Sequence, residues 1–403
     1  MQTLDWNTDW SNSVFSLAER DSRWARVRHL MNTAGVDVIV ALPCTHSHDK
    51  GAADARYLTQ LGENAEEQTV VFAASGEVMA WHSRGGVWPS SNWLGEVRAT
   101  RRGTGGAAAV DYLQETGLSP GRIAITGLTS SLLAHVRAIE GETNWQSVEI
   151  IKAAFPDAEV VSATPILGQA RYVKSAEEID FLRRATQVAE ISDSAVRAAL
   201  AEGVPERLIF GELLRANAVA GGSFCPMIGW ISGPFGDTYH RVEQPTFRSV
   251  QLGDVISLEI EGRWGGYISQ IDQTYYVGDA PPVLRDGTKF CIDVFWDVFN
   301  ALRPGVTIGE LHKLAQQTAL GGRARSQLVI HGRGTGDDGP LLTTSITDEM
   351  LRLVVEENCC FAVKPSVWID GLSDMGHWGE SVAVTPTGAE RLGSRDPDLF
   401  EVK

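Results

Sequence analysis

The spacing of apolar residues divides the chain into two parts. In the first part, residues 16–34 have helical apolar spacing, and residues 36–42 form a short β-branched run that ends at Pro43. Similar patterns predict further strands at residues 68–74, 77–81, 122–126 and 159–163, and a helix at residues 129–139. This alternation of helices and strands predicts an α/β domain.

The second part opens with a long helix predicted over residues 175–200, where Ser175 and Glu178 have the spacing of a capping box. Further helices are predicted at residues 205–220, 289–302 and 308–320, and extended segments at 255–278, 359–367 and 381–385. This mixture predicts an α+β domain with helices on one side of a curved antiparallel sheet. We place the two domains at residues 1–168 and 169–403.

Composition narrows the classes of function. The chain has 403 residues, is 43% hydrophobic and carries a formal net charge of -16, which argues against a nucleic-acid partner. It has no apolar run long enough to cross a membrane and no signal-peptide pattern at its start, so we expect a cytoplasmic protein without a membrane partner. The five cysteines are too scattered for a disulfide framework or a zinc motif, so we expect buried thiols.

One motif in the second part is specific in its spacing. Glu259 stands seven residues before Gly266 of the pair Gly266-Tyr267, and Gln270 stands four residues after that glycine. The segment resembles the metal-binding hairpin of aminopeptidase P, prolidase and creatinase, in which both positions are Asp. The resemblance implies the pita-bread fold for the second domain and a creatinase-like α/β fold for the first.

Three later segments extend the resemblance. His331-Gly332-Arg333-Gly334 matches the family's His-Gly-x-Gly, Lys364-Pro365 stands where the family has Glu-Pro, and Glu380 falls at the last glutamate ligand. The ligand set Asp, Asp, His, Glu and Glu of the family therefore corresponds in this chain to Glu259, Gln270, His331, Lys364 and Glu380.

These substitutions lead us to expect no metal and no other cofactor. A two-metal site holds its ions about 4 Å apart through several anionic oxygens. An ammonium at Lys364 would repel the ions, and the neutral Gln270 does not compensate for it. Creatinase resembles this case, which implies a metal-independent hydrolase that cleaves an amidine, amide or lactam carbon-nitrogen bond in a small zwitterionic metabolite.

The resemblance also implies catalytic roles. His240 precedes the hairpin at nearly the distance of the proton-handling histidine of creatinase, and its ordinary pKa near 6.5 suits a general acid and base. His331 is expected to donate to the developing oxyanion, and Glu380 to position a water or the substrate's nitrogens. A histidine that caps a turn is the alternative for His240.

The expected substrate-binding residues are Glu259, Tyr267, Gln270, Asp272 and Lys364. Lys364 would pair with an anion and Asp272 with a positive nitrogen of a zwitterionic substrate. The alternatives are structural: Glu259 paired with Lys364, and Asp272 paired with an arginine.

Two other classes of function stay open. One is a catalytically inert pita-bread module that binds a peptide or protein. The other is a divergent metal-dependent peptidase or lyase that holds one ion at Glu259, His331 and Glu380. By analogy with creatinase, in which one subunit reaches into its partner's active site, we also expect a homodimer.

Overall fold

The computed structural model describes residues 14–43, 53–61, 68–82, 92–100, 105–222, 226–236, 241–242, 245–343, 346–372 and 377–402. The chain folds as two compact units, one of Met1–Glu177 with Gly334–Gly339 and one of Glu178–Arg333 with Pro340–Lys403. The first unit thus includes a short segment from the second half of the sequence. The proposed domain limit at residue 168 stays a prediction.

Within its described residues, the first unit is built on a mixed six-stranded sheet. Its helices are α1 (Leu17–Ala34), α2 (Ala53–Thr59), α3 (Gly105–Glu115), α4 (Trp145–Ala154) and α5 (Thr164–Tyr172). Its strands are β1 (Val38–Ala41), β2 (Gln68–Ala73), β3 (Val78–His82), β4 (Val97–Ala99), β5 (Arg122–Ile125) and β6 (Glu159–Ser162). The strand order is β4-β3-β2-β1-β5-β6, with β1 antiparallel to β2 and parallel to β5.

Helices cover both faces of this sheet. On β1, Val38 and Val40 pack with residues of α3 and α4, whereas Ile39 and Ala41 pack with residues of α1, α2 and α5. This follows from the alternation of side chains along a strand, which lets a run of apolar residues serve two cores. The predicted α/β character of the first part is confirmed.

The helix predicted at residues 129–139 is wrong. These residues form turns, and His135 adopts a left-handed conformation with φ 50, which an α-helix does not accommodate. The His135 ring lies between two carboxylates, with its Nε2 2.8 Å from Asp54 Oδ2 and its Nδ1 against Glu142. The apolar spacing reflected the buried residues Ala134 and Ala138 rather than a helical backbone.

In the described part of the second unit, five α-helices combine with two sheets. Its helices are α6 (Ala176–Ala199, which begins at the end of the first unit), α7 (Glu206–Val219), α8 (Pro282–Ala301), α9 (Ile308–Ala315) and α10 (Asp348–Arg352). Its strands are β7 (Ile228–Pro234), β8 (Arg241–Val242), β9 (Asp254–Trp264), β10 (Tyr267–Val277), β11 (Thr318–Ala319), β12 (Ala324–Gly332), β13 (Leu341–Leu342), β14 (Cys360–Ile369), β15 (Glu380–Thr385), β16 (Gly388–Arg391) and β17 (Phe400–Val402).

The first sheet has the order β17-β10-β9-β7-β8, and the second has the order β11-β12-β14-β15-β16 with β13 paired to β12. A bridge between Asp272 on β10 and Gly379, just before β15, joins them, with Asp272 N donating to Gly379 O at 3.0 Å. This bridge brings the predicted site strands β10 and β14 into one region of the unit. The predicted α+β character is confirmed.

Helices α6 and α7 pack on one face of the β9–β10 hairpin. Ile256, Leu258 and Ile260 of β9 share a core with apolar residues of both helices. The other face of the hairpin is therefore available for polar side chains. Within the described residues, no helix is both long and apolar enough to cross a membrane.

Candidate functional site

The β9–β10 hairpin presents a row of polar side chains on the face away from α6. Its register places Glu259 opposite Asp272 and Glu261 opposite Gln270. The turn consists of Gly265 and Gly266, both with positive φ, at 53 and 85, as a two-residue hairpin turn requires. Because the turn sets the register, the sequence Trp-Gly-Gly-Tyr brings these four side chains to one face.

Lys364 on β14 forms an ion pair with this face. Its Nζ lies 3.0 Å from Glu259 Oε1. Burial alone would raise the pKa of Glu259, but the charge of Lys364, assisted by His331 and His377, outweighs burial and the pKa falls to about 2. The Glu259 side chain is 32% exposed and that of Lys364 8%, so the cluster meets solvent at Glu259.

Gln270 lies between charged groups. Its Nε2 donates to Glu259 Oε2 at 3.0 Å, and its Oε1 accepts from Lys364 Nζ at 3.4 Å. Arg333 Nη2 donates to the same oxygen and lies 3.3 Å from His331 Nε2. His331 and Lys364 occupy the same face of the second sheet, because Lys364 pairs with Val329, two residues before His331.

Asp272 has an unusual environment. It is buried, and within the part of the chain that the structure describes its Oδ1 accepts no hydrogen bond. Burial and the charge of Glu259 raise the pKa of Asp272 to about 6, although the charges of Lys364, His377 and Arg395 oppose the rise. A carboxyl group in this state exchanges its proton close to neutral pH.

Glu380 does not join this cluster. Arg391 on β16 holds its carboxylate through two bonds, from Nε to Oε1 at 2.9 Å and from Nη2 to Oε2 at 2.8 Å. In the strand register Glu380 pairs with Val363, the neighbour of Lys364, so the two charged side chains lie on opposite faces. The predicted role of Glu380 with water or substrate stays a prediction.

Tyr267 also lies away from the cluster. Its hydroxyl donates to Glu178 Oε1 on α6 at 2.6 Å, and its side chain is buried. Tyr267 and Gln270 are three residues apart on β10 and therefore point to opposite faces. Strand alternation directs Tyr267 toward the helix, and its expected role in substrate binding stays a prediction. His240 lies outside the described residues, so its predicted role stays a prediction.

Sequence reasoning overlooked four charged or titratable side chains at the site. Glu261 and Arg263 continue the polar face of β9, with Arg263 Nη2 2.6 Å from Glu261 Oε2. Arg333 follows His331 by two residues, and the charge of His377 acts on both Glu259 and Asp272. Counting every second residue from Glu259 and from His331 would have found three of the four.

Comparison with known proteins assigns the chain to a class and then to a family. Among solved structures, the X-Pro aminopeptidase from Thermotoga maritima matches with a TM-score of 0.73 at 17% identity, over 94% of this chain and 99% of that chain. The expected pita-bread fold is thereby confirmed. The profile of metallopeptidase family M24 matches residues 181–386, more than half of the chain, and the chain belongs to this family.

Two curated relatives illustrate the level of similarity. The Xaa-Pro dipeptidase of Pyrococcus furiosus is 24% identical over 268 residues, which cover 65% of this chain and 74% of that protein. The probable dipeptidase PepE of Mycobacterium tuberculosis is 26% identical over 253 residues, which cover 60% of this chain and 64% of that protein.

These comparisons correct the functional expectation. A metal-independent, creatinase-like hydrolase of a non-peptide carbon-nitrogen bond is wrong, because the family is one of metallopeptidases and the matched relatives are named dipeptidases. Residue substitutions at the ligand positions had suggested creatinase, but such substitutions do not by themselves identify a substrate class. The broader expectation, a hydrolase family with the pita-bread fold, stands.

The family name implies a metal, and the described side chains do not fit one. Within the described ranges, no group of three or more His, Cys, Asp or Glu side chains converges as a metal site. The Lys364 ammonium is paired with Glu259, Arg333 lies against His331, and Arg391 holds Glu380. We therefore assign no chemical step to a metal in this site.

Proposed function

We propose that this protein binds and hydrolyses small peptides of the dipeptide class at the cluster on β9, β10, β12 and β14. The observation that carries the proposal is the state of Asp272. Its Oδ1 is buried and receives no hydrogen bond from the described residues. The same cluster also holds the cations Lys364 and Arg333. A zwitterionic peptide offers an N–H group to Asp272 and a carboxylate to the cations. The names of the relatives support a peptide as the ligand.

The same residues suit the chemistry of peptide hydrolysis. The reaction requires a group that takes a proton from water and returns one to the departing amine, and Asp272 with a pKa of about 6 meets this requirement near neutral pH. It also requires stabilisation of the negative charge that develops on the carbonyl oxygen. Lys364 is the candidate for this role, because its Nζ lies 3.0 Å from the carboxylate of Glu259, whose side chain is 32% exposed.

A second candidate is peptide binding without hydrolysis. Two ion pairs favour this candidate, because each involves a residue at a position where the family has a metal ligand. They are Lys364 with Glu259 at 3.0 Å and Arg391 with Glu380 at 2.8 Å. These pairs fix side chains that catalysis would otherwise use. Both candidates predict a peptide ligand, and they differ in whether products form.

The test combines turnover and binding on the same protein. A dipeptide panel that includes Xaa-Pro dipeptides is incubated with protein treated with a chelator and with protein supplied with Mn²⁺ or Zn²⁺, and free amino acids are measured by mass spectrometry. Calorimetry measures binding in parallel. We expect Asp272→Asn to reduce turnover by roughly 100-fold or more. The exposed Asp286→Asn on α8 is the control and should leave turnover unchanged.

The outcomes separate the two candidates. Binding without products favours the second candidate, and neither binding nor products overturns both. Hydrolysis that appears only with added metal and survives Asp272→Asn would exclude Asp272 as the proton-transfer group and assign the chemistry to a metal.

A further inference from the structure

A backbone bridge joins the two sheets of the second unit beside the candidate site. Asp272 N donates to Gly379 O at 3.0 Å, and Gly379 N donates to Asp272 O at 3.3 Å. Two residues away, the pairing passes through a side chain instead, because Ser381 Oγ accepts from Gln270 N at 3.1 Å and donates to Gln270 O at 3.1 Å. The backbones of the two sheets thus make direct contact at Asp272.

Arg395, in the loop between β16 and β17, holds this bridge. Its Nη2 donates to Asp272 O at 3.0 Å and to Gly379 O at 2.5 Å. Its Nη1 donates to Gln273 Oε1 at 2.7 Å, and its guanidinium carbon lies 4.9 Å from the centre of the Trp378 ring. One planar group therefore contacts both carbonyl oxygens of the bridge and a chain neighbour of each bridge residue.

The backbone of Arg395 is itself anchored. Glu190 on α6 accepts from Ser394 N at 2.6 Å and from Arg395 N at 2.9 Å. Arg391 Nη2 donates to Arg395 O at 2.5 Å. These contacts restrict the loop around Arg395, so less conformational entropy is lost when its guanidinium is placed against the bridge.

The carboxyl group of Asp272 depends on its backbone for its position. Its Oδ1 is buried and accepts no hydrogen bond from the described residues. A displacement of a reacting group by about 1 Å can lower a rate by roughly 100-fold, so the backbone that carries this carboxyl group matters for its chemistry. Burial raises the pKa of Asp272, and the charge of Arg395 is among those that oppose the rise.

We propose that Arg395 is a positioning residue for the proton-transfer group Asp272. Its guanidinium holds the bridge between Asp272 and Gly379 and thereby fixes the direction in which the Asp272 carboxyl group faces the peptide. The inference rests on the proposed function, which gives Asp272 its role in hydrolysis. Arg395 donates to backbone oxygens of the bridge, so it acts on the reaction through Asp272.

The test measures hydrolysis of Ala-Pro, a member of the dipeptide panel, by the full-length protein. Arg395→Met should lower kcat by roughly 10- to 100-fold and leave KM unchanged, because it displaces the proton-transfer group without removing a group that binds the peptide. Arg395→Lys should keep most of kcat, since an ammonium still has donors for both carbonyl oxygens. The matched control is Arg183→Met on α6, where Arg183 is 39% exposed and pairs with Glu390, and it should change neither constant.

Hydrogen exchange measures the hold on the bridge independently of turnover. In Arg395→Met, peptides that contain the amides of Asp272 and Gly379 should exchange about 10-fold faster or more, the effect expected from losing hydrogen bonds to a charged group. Peptides of the β12–β14 ladder are the internal control and should exchange at the wild-type rate. A loss of kcat that came from partial unfolding would instead speed exchange in both places.

A second variant leaves the Arg395 side chain in place. Glu190→Gln weakens the anchor of the Ser394 and Arg395 amides, because a neutral amide oxygen is a weaker acceptor than a carboxylate. It should lower kcat in the same direction as Arg395→Met but by less, with faster exchange at the bridge. Failure of Arg395→Met to fold would therefore leave the inference testable.

The outcomes separate the positioning role from the proposed function. If wild type hydrolyses Ala-Pro while Arg395→Met keeps its kcat, or while Arg395→Lys loses as much as Arg395→Met, the positioning role alone is overturned. A fall in kcat without faster exchange at the bridge overturns it as well. If wild type yields no products from any dipeptide of the panel, the proposed function fails and the catalytic role of Arg395 fails with it, while exchange at the bridge still decides whether Arg395 holds Asp272.

Discussion

At the scale of single residues, the ion pair between Lys364 and Glu259 determines how the site is held together. A fully buried pair loses about 3 to 5 kcal/mol when one partner is removed, and an exposed pair loses about 1 kcal/mol or less. The Lys364 side chain is 8% exposed and that of Glu259 32%, so the pair lies between these limits.

Lys364→Met should therefore lower the free energy of unfolding by about 2 kcal/mol at neutral pH, because it leaves the Glu259 carboxylate without its main partner. Urea denaturation measures the change. The control is Lys289→Met, whose exposed pair with Asp293 should contribute less than about 0.5 kcal/mol. A loss no larger than that of the control would mean that the pair adds nothing to stability.

Because of Asp272, the free energy of unfolding should fall as pH rises. A carboxylate that is paired with a cation makes the free energy of unfolding rise with pH instead. Its pKa is about 6 in the folded protein against an ordinary value of 3.8, so between these values the folded state binds more protons than the unfolded state. Its contribution to stability is greatest at low pH and falls as pH rises from about 4 to 6.

Asp272→Asn should remove this dependence. The free energy of unfolding of the variant, relative to that of wild type, should increase as pH rises. The increase should reach roughly 3 kcal/mol above pH 6, because one unit of pKa shift corresponds to about 1.4 kcal/mol. Urea denaturation at several pH values measures the difference between the two proteins. Parallel pH profiles for both would show that Asp272 has an ordinary pKa.

Sequence spacing identified most of the residues at this site. It did not show on which face of its strand each side chain lies, because that depends on the alternation of side chains along the strand. Glu259, Gln270, His331 and Lys364 do come together, with the positions that the motif gave them. Glu380 lies apart from these residues, because the motif fixes its position along the chain but not the face of β15 on which it lies.

At the scale of elements, the close contact between β9 and α6 is the feature that shapes the hairpin. A Cβ atom at Gly262 would lie 1.9 Å from the backbone oxygen of Ala185 and 2.6 Å from the amide nitrogen of Ala189, both on α6. Backbone atoms do not move aside as a flexible side chain does. Glycine at this position therefore sets how near the helix lies to the strand.

Gly262→Ala should lower the free energy of unfolding by roughly 3 kcal/mol, because overpacking against backbone forces the strand or the helix to shift. The matched control is Gly211→Ala on α7, where a Cβ meets nothing within 4 Å and alanine should stabilise the helix by up to about 1 kcal/mol. Thermal melts of both variants measure the changes. Equal melting temperatures would contradict the close contact.

Helices and strands could be predicted where the spacing of apolar residues along the chain matches the face that packs against the core. The predicted helix at 175–200 and the extended segment at 255–278 correspond to α6 and to β9 with β10. Helix α3 was missed because it begins with Gly105 and Gly106, which have low helix propensity. A Cβ atom at Gly106 would lie 2.5 Å from the backbone oxygen of Ser147, so a tertiary contact requires the glycine.

At the scale of the whole molecule, the chain leaves the second unit after Arg333 and returns to it at Pro340, and residues 334–339 belong to the first unit. Sequence could not reveal this, because the segment begins with Gly334, the last residue of the His331 motif, and its partners are far away in the chain. Those partners are buried: Arg171 donates to Asp338 through Nε at 3.1 Å and through Nη2, and Lys174 Nζ lies 3.8 Å from Asp338.

Asp338 also fixes the backbone of the segment. It accepts from Thr335 N at 3.0 Å and from Gly336 N at 3.1 Å. Burial would raise the pKa of Asp338, but the charges of Arg171 and Lys174 and these hydrogen bonds lower it. The carboxylate is therefore ionised in the folded protein, and its charge balances two buried cations of the same unit.

Asp338→Asn should release the segment, because an amide neither balances Arg171 nor accepts as many hydrogen bonds as a carboxylate. Hydrogen exchange followed by mass spectrometry should show faster exchange at Thr335 and Gly336, by about 10-fold or more for hydrogen bonds to a charged group. The exposed Asp111→Asn on α3 should leave exchange there unchanged. Unaltered protection in Asp338→Asn would show that the Arg171 and Lys174 contacts do not hold the segment in place.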